Sequence, residues 1–422
     1  MRPTPSRRDR PNGRLALSVA IDSVAACIQA VLAEQRTELR HVSLDIHSHP
    51  ETAFEETRAC ATLGGLLKSQ GFDVRRDVSG MPTAFIADAQ SGDGGPRVAF
   101  VCEYDALRGL GHACGHNLIG TASAAAGIAL LQALRDGGIA GHVRVVGSPA
   151  EEGGGGKIPL VNDGVFDDCD AALILHPTDR TMAVMWALAC THWRWAFTGR
   201  AAHAAGDPDQ GLNALDAFVH AYNGISLWRQ QLQDGARVHG FIAEGGTAPN
   251  IIPERTSGEF LTRAREAAYL DVMNVRFRAI FEAAASATGC SLELEREETY
   301  KDLRSNRVLA ERGHLHLESL GLRPRVATPW ERVGSTDVGD LSYACPAIHP
   351  EVAITEEGVS CHTHEFREAA ATEQAHDVML RGAAALALTG ADVIADGQIR
   401  EAVRASFAAE PWRRREWRGS GS

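Results

Sequence analysis

Two short stretches of this chain bring metal-binding and acid–base side chains close together. The first is Gly111-His112-Ala113-Cys114-Gly115-His116-Asn117, which follows Phe100-Val101-Cys102-Glu103-Tyr104-Asp105. Cys114 and His116 stand two apart on a glycine-flanked turn, so a thiolate and an imidazole can reach one metal region. The same pair also fits a buried thiol beside a core histidine. The second stretch is Ser148-Pro149-Ala150-Glu151-Glu152, followed by four glycines. Adjacent carboxylates repel, so burial of both favours a cation or a shifted pKa. One of them can bind metal while the other addresses a water. An exposed acidic turn is the plain alternative. The glycines lack the Gly-Lys-Ser/Thr ending of a phosphate loop.

Two further elements add donors. His176 directly follows the apolar run Ala171–Leu175, and Cys361-His362-Thr363-His364-Glu365-Phe366 lies far downstream. Alone, each fits a strand-end or surface histidine. Together, Cys114, His116, Glu152, His176 and His362 form a mixed soft and hard set suited to zinc or manganese. Such a site requires that distant segments end strands of one sheet. A cysteine hydrolase using Cys114 with His116 is a rival reading, but it has no evident third group and leaves Glu151 and Glu152 unexplained. A structural zinc site would use four closely spaced Cys/His ligands.

The elements that must hold these residues alternate in type. Thr83–Ala87, Val98–Val101, His142–Val146 and Ala171–Leu175 read as strands, and Asn117–Leu134 as a helix. This alternation predicts an α/β fold: a mixed, mostly parallel sheet with helices on both faces, whose sites lie at the carboxyl ends of strands. The pattern changes near Ala187. A strand at Thr191–Thr198 with Trp193 and Trp195 on one face, a helix at Gly211–Gln231, strands near Val238–Ile242 and Ser257–Thr262, a helix at Glu266–Ala287 and a strand at Ser291–Glu295 follow. That β-α-β-β-α-β order predicts a small inserted α+β, ferredoxin-like domain. The expected division is a catalytic domain from 15–187 and 300–407, an inserted lid and dimerisation domain from 188–299, and a disordered tail from 408–422.

Bulk properties narrow the class. At 422 residues the chain is too long for one core. A net charge of −12 argues against a nucleic-acid partner. The nine scattered cysteines read as reduced thiols of a cytoplasmic protein and not as a disulfide framework. No uncharged apolar run is read as long enough to span a bilayer. Leu15–Leu32, which carries Asp22 and Gln29, reads as an amphipathic helix and not as a signal peptide.

The motifs in order resemble the aminoacylase and glutamate-carboxypeptidase family of two-metal exopeptidases. Within it they are most similar to the amidohydrolase branch of aminobenzoyl-glutamate hydrolases and beta-alanyl-dipeptide hydrolases. The stretches that carry the resemblance are HSHPETAFEE (His47–Glu56), EYDALRGLGHACGHNLIG (Glu103–Gly120), SPAEEGGGGK (Ser148–Lys157), Phe197–Ala217, GGTAPNIIPE (Gly245–Glu254), GSTDVGDLS (Gly334–Ser342) and HTHEF (His362–Phe366). They run over almost the whole chain.

The resemblance implies two divalent ions, zinc or manganese, held by Cys114, His116, Glu152, His176 and His362, with Cys114 in the bridging place. It makes Glu151 the general base for attack of a metal-bound hydroxide on an amide carbonyl. Glu151 would then pass the proton to the leaving nitrogen. It places Asp105 behind a metal ligand and makes His203 an oxyanion stabiliser reaching a partner subunit's site. Asn250 and Arg263 become substrate contacts. Asp337 is either a pocket residue or a helix N-terminal acid. Arg108 and His364 depart from the branch, which often has proline in those places. The implied substrates are small N-acyl or N-aroyl amino acids or dipeptides, including aminobenzoyl-glutamate, beta-alanyl dipeptides and ochratoxin-like aryl amides of phenylalanine. Trp186, Trp193, Trp195 and Phe241 could line an aromatic pocket or simply pack a core. The implied partners are the small-molecule substrate and a second copy in a homodimer formed through the inserted domain. A non-catalytic binding protein on this fold should have lost a ligand or the base, and here none is missing.

Overall fold

The computed structural model describes residues 12–409 except 329, 330 and 332, with side chains from residue 23 onward. Packing divides the chain into two units. One comprises the chain up to Met185, Ser305–Pro329 and Leu341 onward; the other comprises Trp186–Arg304 and Trp330–Asp340.

The first unit is built on a six-stranded sheet in the order Asp73–Val78, Met81–Ser91, Gly141–Ser148, Arg97–Glu103, Ala171–Leu173, Ala347–Ile348. The first two pairings are antiparallel and the remaining three parallel. Arg97–Glu103 and Gly141–Ser148 are buried along nearly their whole length, which is why they read as continuous apolar runs and do not alternate. A short parallel pair, His176–Thr178 with Glu351–Ala353, lies beyond the sheet.

Helix His116–Asp136 packs on the central strands and against helix Glu373–Ala395. Small residues (Gly120, Ala122, Ala124–Ala126, Gly127) let it approach the sheet closely, and Leu118, Leu130, Leu131 and Leu134 fill the remaining space. Each fully buried Leu contributes about 1.5–3 kcal/mol. Contrary to the sequence expectation, these two helices are long and apolar enough by composition alone to cross a membrane. Their apolar windows are 94% and 89% buried inside the protein, so here that composition serves a core.

The second unit has four antiparallel strands in the order Ser291–Tyr300, Ala189–Thr198, Arg255–Ala264, Arg237–Glu244, with helices Ala214–Trp228 and Ala267–Thr288 packed on the two central strands. Trp193 and Trp195 sit in its core at 2% and 1% exposure, among Phe197, Phe218, Phe260, Phe277 and Phe281. They therefore pack a core, while Trp186 and Phe241 are exposed. The first helix starts later than Gly211 because Arg200 and Leu212 exchange backbone hydrogen bonds. Asn213 then caps the helix, accepting from the Leu215 and Asp216 amides. Arg237–Glu244 is an edge strand and is almost wholly exposed. The expected tail at 408–422 lies almost entirely outside the described residues.

Candidate metal centre

Every donor anticipated for the metal site belongs to the first unit, where strand ends, loops and one helix start carry them. Glu103 ends Arg97–Glu103, and Asp105 follows two residues on. Glu151 and Glu152 follow Gly141–Ser148, while His176 opens the short outer pair. Cys114 and His116 lie at the start of helix His116–Asp136, on either side of a left-handed Gly115 with φ of 78°. A side chain at Gly115 would put Cβ 2.5 Å from Pro177 Cγ, so glycine is what lets the cysteine turn close on the His176 strand. The His362 amide donates to Ala113 O at 2.9 Å, which ties the distant histidine motif to the same turn.

The donor atoms fall into two triads that share one sulfur. Cys114, His116 and His176 form one, and Cys114, Glu152 and His362 form the other, with all donor atoms of each triad within 4.8 Å of one another. Cys114 Sγ is 3.5 Å from His176 Nε2, and His362 Nε2 is 3.2 Å from Glu152 Oε1. His176 directs Nδ1 at the Pro177 carbonyl at 2.8 Å, leaving Nε2 facing the sulfur. Glu151 joins His116 and Glu152 in a third group.

Asp105 organises this cluster. Its Oδ1 lies 3.0 Å from His116 Nδ1 and its Oδ2 accepts from the Glu152 amide at 2.8 Å. Burial would raise its pKa, but His116, the Glu152 amide and Lys157 outweigh that and hold it at about 2. His116 is fully buried. Burial disfavours its charged form, yet Asp105, Glu103 and Glu152 keep its pKa well above the ordinary value. Its Nε2 has no hydrogen-bond partner among the described residues and faces Glu103, Glu151 and Glu152 oxygens at 3.8, 3.9 and 3.9 Å. Those distances are too long for hydrogen bonds but suit groups arranged around a cation. The field that would hold a proton on His116 equally favours a divalent ion. Thiolate, imidazole and carboxylate together are a fitting donor set for one.

Three neighbours were not anticipated as part of the site. Glu103 and Lys157 form an ion pair at 2.6 Å with side chains only 1% and 0% exposed, directly beside His116. The third, Cys361, donates from Sγ to the Pro177 carbonyl at 3.8 Å. A Glu ending an apolar strand and a Lys after a glycine run were the available signals, but burial of a charge leaves no mark in the sequence. His364 is exposed and begins helix His364–Ala369, capped by Thr363, and Arg108 is also exposed.

His203, Asn250, Arg263 and Asp337 belong to the second unit. His203 Nδ1 accepts from the Ala205 and Gly206 amides at 3.2 and 2.9 Å, so the neutral ring carries its proton on Nε2. The Ala204 amide donates to Asn250 O at 3.0 Å, which sets these two loops side by side. Arg263 donates to Ser335 Oγ at 3.0 Å. Asp337 is fully buried immediately before helix Val338–Ala344.

The sequence profile of peptidase family M20/M25/M40 matches residues 88–390. The chain belongs to this family. It is thus a hydrolase of amide bonds, of the metallopeptidase kind. An Xaa-Arg dipeptidase of Mus musculus is 38% identical over 387 residues, covering 89% of this chain and 90% of that protein. A p-aminobenzoyl-glutamate hydrolase component of Escherichia coli is 32% identical over 448 aligned positions, covering 87% of this chain and 92% of that one. Among solved structures, an aminobenzoyl-glutamate utilization protein from Klebsiella pneumoniae superposes with a TM-score of 0.66 at 20% identity, covering 86% of this chain and 98% of that one. A dinuclear metal-binding peptidase of the same family from Bacillus subtilis gives 0.62 at 19% identity, covering 84% and 98%. These two likenesses establish the shared fold.

Proposed function

We propose that this family member hydrolyses the amide bond of small dipeptides or N-acyl and N-aroyl amino acids, with two divalent ions, zinc or manganese. The observation that carries the proposal is the pair of donor triads sharing Cys114, with Glu151 beside them. Cys114, His116 and His176 would hold one ion, and Cys114, Glu152 and His362 the other. When bound, the ions polarise the amide carbonyl and make a water acidic near neutral pH.

The chain's own residues supply the proton traffic. Glu151 takes a proton from the attacking water and returns it to the departing nitrogen, which cannot leave as an anion. Its side chain is 13% exposed, open enough for a water to reach it. Asp105 fixes the His116 ring through Nδ1 and leaves Nε2 for metal. His203, whose Nε2 carries a proton, donates to the developing oxyanion, and Asn250 and Arg263 bind the substrate's carbonyl or carboxylate.

A homodimer through the second unit would bring His203 to the partner's site. All nine cysteines are unpaired thiols, which favours a cytoplasmic location. The first substrate to try is a dipeptide with C-terminal arginine, followed by aminobenzoyl-glutamate, beta-alanyl dipeptides and an aryl amide of phenylalanine.

The test is to strip the protein with a chelator, reload it with zinc or manganese, and measure hydrolysis across this panel. Cleavage that disappears on stripping and returns on reloading is expected. If the reloaded protein cleaves none of these amides, the proposal falls; if the stripped protein retains full activity, the cysteine-hydrolase reading replaces it.

A further inference from the structure

Glu56 closes the HSHPETAFEE stretch and has no part in the chemistry described so far. Its side chain is fully buried, although it is a carboxylate. Oε1 accepts two backbone hydrogen bonds, from the Phe54 amide and from the Ala150 amide, each at 2.9 Å. Oε2 accepts from Thr83 Oγ1, also at 2.9 Å. A buried carboxylate committed to backbone amides is there to hold backbone.

The backbone it holds is unusual. Phe54 and Ala150 have φ of 63° and 59°, and they are two of only five non-glycine residues with positive φ among those described. A left-handed conformation is disfavoured for residues with a Cβ and persists only where surroundings enforce it. Here one oxygen grips both strained residues. The Phe54 ring also lies so close to Gly154 that a Cβ there would come within 2.4 Å of it. The Ala150 carbonyl is held in turn by the Gly155 amide at 2.9 Å.

Ala150 immediately precedes Glu151. On the other side of Glu151, the Glu152 amide is bonded to Asp105 Oδ2 at 2.8 Å. Glu151 therefore hangs between two amides, each pinned by a different buried carboxylate. We infer that Glu56 is a positioning residue for Glu151, holding Ala150 in its left-handed turn so that the base points at the metal centre. The inference rests on the reading of Glu151 as base. Glu56 touches neither substrate nor metal, and geometry, not charge, is what it supplies.

That distinction sets the experiment. Glu56→Leu removes every acceptor. Glu56→Gln keeps one carbonyl oxygen for both amides and turns its NH2 toward Thr83, whose hydroxyl can accept. On an amide that the wild type cleaves, Glu56→Leu should lower kcat about 10–100-fold with KM within about threefold, because a misplaced base costs rate and not binding. Glu56→Gln should keep most of the activity. Glycine adopts the left-handed conformation without help, so in an Ala150→Gly background the Glu56→Leu penalty should shrink to less than about fivefold. Hydrogen exchange over residues 149–155 should quicken in Glu56→Leu and not in Glu56→Gln. If Glu56→Leu fails to fold, Glu56→Asp keeps the carboxyl group but withdraws it by one methylene, and should show the same kcat loss.

Folded Glu56→Leu or Glu56→Asp protein with wild-type kcat overturns the inference. So does a kcat loss that Ala150→Gly does not relieve, since that marks a merely structural carboxylate. Glu151→Ala, measured alongside, separates the two readings. If it is fully active, the base assignment fails. If it is inactive while Glu56→Leu is normal, only the positioning role fails.

Discussion

At the level of single residues, the site combines donors the sequence displays with supports it conceals. Cys114, His116, Glu151 and Glu152 stand out because unlike chemistries crowd into a few positions beside glycines. Glu103, Lys157 and Glu56 do not, because nothing in a sequence separates a buried charge from a solvated one. The proposed roles lead to different outcomes for neighbouring residues. Glu151→Ala should abolish turnover, with loss of at least about 100-fold from general acid–base catalysis alone, while metal analysis still finds both ions. Asp105→Ala should instead weaken metal binding by about 10–100-fold, as loss of an outer-shell carboxylate does, read by competition with a chromogenic chelator. Retained metal affinity in Asp105→Ala would remove that residue from its supporting role.

Among the elements, strands marked by an apolar run or by alternation are legible in the sequence, and Asp73–Val78, which carries neither, is not. Arg97–Glu103 and Gly141–Ser148 are central and buried, and they show as Val- and Ala-rich runs. Asp73–Val78, with sequence DVRRDV, is an edge strand with mostly exposed side chains, so no pattern marks it. Met81–Ser91 outlasts the apolar core Thr83–Ala87 because pairing with Gly141–Ser148 carries it through Asp88 to Ser91. Strand order is likewise absent from the sequence, since it depends on which runs meet after the chain collapses.

One junction between elements gives a stability prediction. Asp392, on helix Glu373–Ala395, is 3% exposed and bonds Arg312 Nε and His316 Nε2 of helix Arg307–Ser319, both at 2.7 Å. Burial alone would raise its pKa, but the His316 and Arg312 bonds outweigh it and leave the value lowered. A depressed carboxylate contributes stability above its unfolded pKa, and that contribution is lost as pH falls through the folded value. Asp392→Asn should therefore cost about 1–3 kcal/mol at pH 7. In denaturant titrations the difference from wild type should narrow below about pH 4. A difference independent of pH would mean that packing, not charge, joins the helices.

For the whole molecule, the second unit offers a surface that suits a second copy. The edge strand Arg237–Glu244 exposes Phe241 at 56% and Ile242 at 44%, beside a row of unpaired backbone groups. If pairing there builds the active dimer, Phe241→Lys combined with Ile242→Lys should yield a monomer by light scattering, with turnover largely lost and metal content unchanged. A monomer with full activity would confine catalysis to one chain. The arrangement of the first unit also bears on how the protein is made. Its sheet and its donors come from segments on both sides of the second unit, and His362 lies late in the chain. A nascent chain can complete the βαββαβ segment Ala189–Tyr300 as it emerges, but the triad of Cys114, Glu152 and His362 cannot close until His362 has been synthesised. The second triad is thereby the later of the two to form, and prematurely terminated products lacking His362 are left without it.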